Sequence, residues 1–199
     1  MQVMGDKVKE AFYSTALHEM GHWVSAFYYG HQAKEVCVRI HKNGETSGYT
    51  SHNFDHPMPT LKHVERIFFE LIVISRSGVV AQNLNDKKLN ITNHNDALSR
   101  GGLSDLMKMS LYTNILRCMR YPETCGTEKA NQKQRDILHD ALRKSEDICR
   151  KNMGLISSGA LLLTNKACEC YQTDVEGQYR LSNDELINLV SLHPIVKGF

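Results

Sequence analysis

Three residues at fixed spacing carry the chemistry that this sequence can be read to perform: His18, Glu19 and His22, within His18-Glu19-Met20-Gly21-His22. On an α-helix, residues four apart lie on one face, one turn apart. Two imidazole nitrogens can then reach a single ion, and tetrahedral Zn2+ accepts nitrogen ligands at about 2.0–2.1 Å. Glu19 follows the first histidine, so its carboxylate can reach the open side of the metal and take a proton from a zinc-bound water. The pattern predicts a zinc hydrolase. The competing reading is a core helix with two incidental histidines, the known false-positive risk of such a motif.

A catalytic zinc takes three protein ligands and keeps one position for water. The extended metzincin pattern is excluded, because Ser25 and Tyr28 stand where it needs Gly and His. The third ligand can come from Glu65 or Glu70 on the following helix, or from His94, Asp96 or Asp105. Asp105 has an ordinary explanation too, as an acid in the first turn of a helix, where the macrodipole favours it. His52, Asp55 and His56, beside Pro57 and Pro59, are candidates for a second metal site, although loop residues of this kind more often face water.

The elements that must position these residues follow from periodicity and punctuation. Residues 8–29 read as one helix with apolar positions Val8, Phe12, Leu17, Met20, Val24 and Phe27, and Gly30 stands at C′. Gly21, inside that helix, implies that another backbone packs close there. Residues 34–41 alternate as a half-buried strand, Asn43-Gly44 is a hairpin turn, and residues 45–52 return. The edge of such a hairpin can pair with an extended peptide and lay it across a metal. Residues 51–59 read as a loop. Residues 60–84 form an apolar, central helix whose small residues Ser75, Ser77, Gly78 and Ala81 admit a neighbour, with the His18–His22 helix the natural candidate. Residues 85–102 are a polar loop. Helices follow over 103–120, ended by Pro122, over 127–152 with Gly154 after it, and over 157–171. Ser182-Asn183-Asp184-Glu185 is a capping box opening a last helix over 184–192.

At 199 residues the chain is expected to form a single domain, with a catalytic part over 1–121 and a C-terminal helical part over 122–199. The fold class is mainly α with a small β-hairpin or sheet. A net charge of +2, with bases and acids interspersed, gives no nucleic-acid footprint. The six cysteines form no C-x-x-C pair and no zinc-finger spacing, which reads as reduced thiols in a cytoplasmic protein. The most apolar run, residues 67–74, is far shorter than the roughly 20 residues of a membrane span and contains Glu70.

Several segments together resemble the peptidase domain of FtsH-type, ATP-dependent zinc metalloproteases. Ala16-Leu17-His18-Glu19-Met20-Gly21-His22 is similar to the family's HEAGH helix, and residues 35–49 to its hairpin. Residues 77–84 are similar to its small-residue and acidic segment. Gly101-Gly102-Leu103-Ser104-Asp105 resembles its Gly-Ala-Ser-Asn-Asp stretch, whose last residue is the third zinc ligand. The resemblance covers nearly the whole chain. It implies a zincin-like helix in a helical FtsH-peptidase-like domain, with Asp105 beside His18 and His22. Met20 and Trp23 replace the family's alanines, which predicts a reshaped pocket beside the metal. Gln82 and Asn83 replace an acidic pair, which puts that pair's supporting role in doubt. No G-x-x-x-x-G-K-[ST] occurs, so the chain reads as a stand-alone peptidase domain. The expected activity is ATP-independent endoproteolysis of flexible or unfolded segments, with Zn2+ as cofactor, a protein or peptide as substrate, and a separate unfoldase or adaptor as a partner to look for. Oligomeric state is left open. The alternatives are a catalytically inactive, zinc-stabilised interaction module, or a zinc hydrolase with a glutamate third ligand.

Overall fold

The first helix, α1 (Asp6–Tyr28), holds the His18–His22 motif at its centre. Phe12, Ala16, Met20, Trp23 and Val24 recur at three- and four-residue steps, and all five are buried. From Glu19 to Ala26 every residue is buried, so the helix is covered on all sides there. It ends as expected at Gly30, whose φ is +78°. Gly30 N–H donates to Phe27 O and His31 N–H to Ala26 O, both at 3.0 Å, which satisfies carbonyls left open by the helix end. A computed structural model describes residues 4–53, 56–85, 88–89, 103–172 and 175–197. His94, Asp96, Asp55 and the Gly101-Gly102 pair lie outside the described residues.

Strand β1 (Gln32–Ile40) pairs antiparallel with β2 (Thr46–Asn53) through a turn at Gly44, whose φ is +81°. The strand runs further than the sequence predicts. Gln32 pairs with Asn53 and Ala33 with His52, so β1 begins two residues before the expected residue 34 and β2 ends one residue beyond the expected residue 52. Helix α2 (Leu61–Asn83) follows, then the two-residue ladder of β3 (Leu84–Asn85) and β4 (Lys88–Leu89), inside the span read as loop. Next come α3 (Leu103–Arg120), a 3-10 turn at Pro122–Thr124 and α4 (Lys129–Lys151). Helix α5 (Met153–Cys170) begins before the expected residue 157, because only Asn152 separates it from α4. Asn152 Nδ2 donates to Ile148 O at 2.9 Å and its Oδ1 accepts from Val196 N–H at 2.8 Å. That side chain makes a sharp corner, so Gly154 falls inside the new helix rather than beyond the old one.

Strand β5 (Gly177–Leu181) is absent from the sequence reading. It pairs antiparallel with β1 and gives a three-stranded sheet in the order β2-β1-β5. Helix α6 (Asn183–Leu192) opens on the expected capping box: Ser182 accepts from Glu185 N–H, and Glu185 Oε2 accepts from Ser182 N–H at 2.9 Å. The molecule is mainly helical with this small antiparallel sheet. Helix α1 packs against α2, α5 and the sheet, and α2 against α3 and α4. Buried residues from Met4 to Leu189 join one core, so both expected parts of the chain share it. No described helix is long and apolar enough to cross a membrane.

The crossing of α1 and α2 has a glycine at its closest point, as the sequence implies. A Cβ on Gly21 would stand 2.5 Å from Ser77 O and 2.6 Å from Ala81 Cβ. Gly21→Ala gains about 1 kcal/mol of helix propensity. It also forces a backbone carbonyl aside, and such overpacking costs about 1–3 kcal/mol. The expected result is a net loss of stability with a lower Tm, measured by thermal unfolding against wild type.

Candidate metal centre

Helix α1 presents His18 and His22 toward α2, and the first turn of α3 delivers Asp105 to the same point. His18 Nε2 and His22 Nε2 lie 3.0 Å apart, and each lies 3.1 Å from Asp105 Oδ2. These three residues are the one group of His, Cys, Asp or Glu among the described residues whose ligand atoms converge this way. Close approach is allowed by Gly78 on α2. A Cβ there would be 2.6 Å from His22 Cε1 and 2.7 Å from His18 Cδ2. Within the small-residue patch, Gly78 faces the imidazoles, while Ser77 and Ala81 meet Gly21.

The outer nitrogens settle the tautomers. His22 Nδ1 lies 2.7 Å from Ile74 O, and a carbonyl can only accept, so Nδ1 carries the proton. His18 Nδ1 lies 3.3 Å from Gln82 Oε1 and donates to it in the same way. When both rings are neutral, their Nε2 atoms are then lone pairs aimed at each other and at a carboxylate oxygen. Three electron-pair donors in contact repel unless a cation sits among them. Tetrahedral ligands at about 2.0–2.1 Å from a metal are themselves about 3.3 Å apart. The observed spacing is close to that, so the donor set fits a divalent metal ion of the kind nitrogen and carboxylate ligands hold.

Without a metal, a proton takes the same place. Burial opposes a charge on His22. The charge and hydrogen bond of Asp105, together with Glu19 and Ile74 O, outweigh it and raise the pKa from 6.5 to about 9. Burial likewise pushes Asp105 up, but the two histidines overcome it and hold the carboxyl well below the usual range. Its other oxygen lies 3.6 Å from Lys108 Nζ.

Glu19 is 6 % exposed and lies beneath β2. The Thr50 hydroxyl donates toward it, 2.9 Å from Glu19 Oε2 and 2.8 Å from Glu19 O. A Cβ on Gly48 would meet Glu19 Cγ at 2.5 Å, so β2 can cross the carboxylate here only because residue 48 is glycine. One turn earlier, Thr15 Oγ1 and Thr46 Oγ1 are 2.7 Å apart. Strand β2 thus runs alongside α1, and its outer edge carries no ladder partner among the described strands. A cleft of about 380 Å³ lies between that strand and the His18–His22–Asp105 cluster, with His52, Lys108 and Tyr112 also in its wall. Burial, then His31, His22 and Lys108, lowers the His52 pKa to about 4, so its imidazole is neutral at physiological pH.

The remaining candidates are engaged elsewhere. Glu70 Oε2 holds His31 Nε2 at 3.1 Å, and Glu65 Oε2 accepts from Arg120 Nε at 3.3 Å. His52 and His56 sit with their rings 5.8 and 5.2 Å from that of His31, and no converging ligand set forms there among the described residues. The expectation that Met20 and Trp23 reshape the pocket is corrected, since neither lines the cleft. Both are fully buried in the core, with Trp23 stacked on Phe27 at 5.0 Å and Met20 against Gly159. They lie on another face of α1 from the histidines. Gln82 Oε1 lies 3.3 Å from His18 Nδ1 and its Nε2 donates to Ser14 Oγ at 2.8 Å. Thr50 and Tyr112 were not readable as site residues, because nothing in sequence marks one threonine or tyrosine among many.

Compared with known proteins, the chain matches no protein-family model and no curated protein.

Proposed function

We propose that this protein is a zinc-dependent endopeptidase of the FtsH-peptidase type. The observation that carries the reading is the convergence of three ligand atoms, His18 Nε2, His22 Nε2 and Asp105 Oδ2, in a cleft that also holds Glu19 beneath β2, whose outer edge has no ladder partner among the described strands. His18, His22 and Asp105 would hold the ion. Zinc bound there supplies Lewis-acid chemistry, acidifying a water and polarising a peptide carbonyl. Glu19 takes the proton of the attacking water and returns it to the leaving amine. Thr50 keeps the Glu19 carboxylate in one orientation, and Gln82 and Ile74 O keep each imidazole turned with Nε2 inward.

The edge of β2 offers backbone groups to an extended substrate, which fixes the peptide along the cleft by strand addition. Neutral His52, Lys108 and Tyr112 line the wall as donors for an oxyanion. An extended segment is the only form of chain that such an edge can take, so the substrates are flexible or already unfolded regions. Folded targets need a separate unfoldase or adaptor.

The test pairs metal analysis with digestion. Purified protein is expected to carry one zinc per chain, to cleave an unfolded protein such as casein without ATP, and to lose both properties on dialysis against a chelator. Zinc readdition restores cleavage. Protein that binds no zinc, or that cleaves equally well after chelation, overturns the proposal.

A further inference from the structure

Two of the six cysteines stand apart from the rest. Cys118 lies in the last turn of α3, and Cys125 follows the 3-10 turn Pro122–Thr124. Their Sγ atoms are 3.8 Å apart, and both residues are exposed. One guanidinium spans the pair: Arg117 Nη1 donates to Cys125 Sγ at 3.2 Å and Nη2 to Cys118 Sγ at 3.1 Å. Arg117 itself is buried, and its Nε has no hydrogen-bond partner among the described residues.

The turn that brings the sulfurs together is built from local bonds. Thr124 N–H donates to Tyr121 O at 3.0 Å and Cys125 N–H to Pro122 O at 3.2 Å. The Thr124 hydroxyl adds a second bond to Tyr121 O at 2.8 Å. Gly126, with φ at +74°, then turns the chain away. The other cysteines lack such an arrangement. Cys37 and Cys149 are buried, and burial pushes the Cys149 thiol up to about 12. Cys168 and Cys170 are two apart on α5, so their side chains leave the helix about 200° apart.

We propose that Cys118 and Cys125 form a redox-responsive dithiol site that closes to an intramolecular disulfide by exchange with a low-molecular-weight disulfide such as glutathione disulfide. One protein thiolate attacks a glutathione sulfur, forming a mixed disulfide and releasing one glutathione thiolate, which takes up the proton the attacking thiol gave up. The second protein sulfur, 3.8 Å away, then attacks the first and displaces the second glutathione, its proton leaving with it. The protein loses two hydrogens and two electrons, and glutathione disulfide gains them as two reduced glutathiones. Closure brings the sulfurs to about 2.05 Å, a short movement for exposed side chains. The Arg117 donors already point at both sulfurs, so either one has a partner while it carries charge. The bond staples the end of α3, the helix whose first turn carries Asp105, to the segment leading into α4. The inference stands whether or not the cleft holds zinc.

The test treats the purified full chain with glutathione disulfide, blocks remaining thiols by alkylation, and digests it with trypsin, which cuts after Arg117, Arg120 and Lys129. The expected product joins peptide 118–120 to peptide 121–129. The intact chain loses two of its six thiols and about 2 Da. Cys118→Ser, a conservative change at an exposed position, is expected to stop at a glutathione adduct on Cys125. A lasting glutathione adduct on Cys118 or Cys125 of the wild type, or preferential linkage of other cysteines, overturns the proposal.

Discussion

Replacing Asp105 by alanine empties the candidate centre. Two imidazoles one turn apart remain, without the carboxylate oxygen that lies 3.1 Å from each. Removing even a group that only orients a ligand costs about 10–100-fold in metal affinity, and a direct ligand costs more. The expected loss is therefore more than about 100-fold, measured as zinc retained after dialysis and by competition with a chromophoric chelator. Bound metal stabilises the folded chain by mass action, so a 100-fold loss removes about 2.7 kcal/mol at saturating zinc. In a chain of this size that lowers Tm by about 5–10 °C. Full zinc affinity in Asp105→Ala would falsify the ligand assignment.

The same substitution has a metal-free signature with a defined pH window. The His22 pKa is raised to about 9 by Asp105, against burial. That interaction stabilises the fold fully below the ordinary imidazole value of 6.5 and is lost as pH rises through about 9. The Asp105 pKa is lowered, so its contribution is present above the ordinary 3.8 and is lost as pH falls below it. In chelator, the stability gap between wild type and Asp105→Ala is therefore widest between about pH 4 and 6.5 and narrows toward pH 9. Urea unfolding at several pH values measures it. A gap that widens toward pH 9 contradicts the pairing.

Glu19→Gln is expected to leave zinc content unchanged and to abolish turnover. The amide has nearly the shape of the carboxylate, fits under Gly48 and still accepts from the Thr50 hydroxyl, so the fold is kept. It cannot accept a proton. Loss of a general base lowers kcat by about 10²–10⁴-fold, which brings casein cleavage to background. A variant that still cleaves would show that another group accepts the proton. Zinc in both proteins with cleavage by neither returns the molecule to the reading of a zinc-stabilised interaction module.

The two histidines, the glutamate between them and the helix that carries them were legible from the sequence. Their geometry is local: four residues on a helix fix the distance between two imidazoles whatever surrounds them. The expected hairpin, the small-residue face of α2 and the capping box of α6 are also short-range patterns, and each stands where the periodicity and turn residues place it. Strand β5 was not legible, since its five residues become a strand only by pairing with β1, about 140 positions earlier in the chain. The corner at Asn152 depends on Val196 in the same way.

Asp105 marks the boundary between the two kinds of information. Periodicity and spacing left it equal to Glu65, Glu70, His94 and Asp96, and resemblance alone favoured it. What brings it to His18 and His22 is the packing of α3 on α2 and of α2 on α1, through Gly21 and Gly78. That packing also sends Glu70 to His31 and Glu65 to Arg120. The sequence by itself determined a paired-imidazole motif with an adjacent carboxylate on a helix. The third donor, the Thr50 and Gln82 supports, the cleft under β2 and the Cys118–Cys125 pair were decided only by tertiary structure. Contacts between residues far apart in the chain arise from the burial of whole helix faces, which no local spacing records.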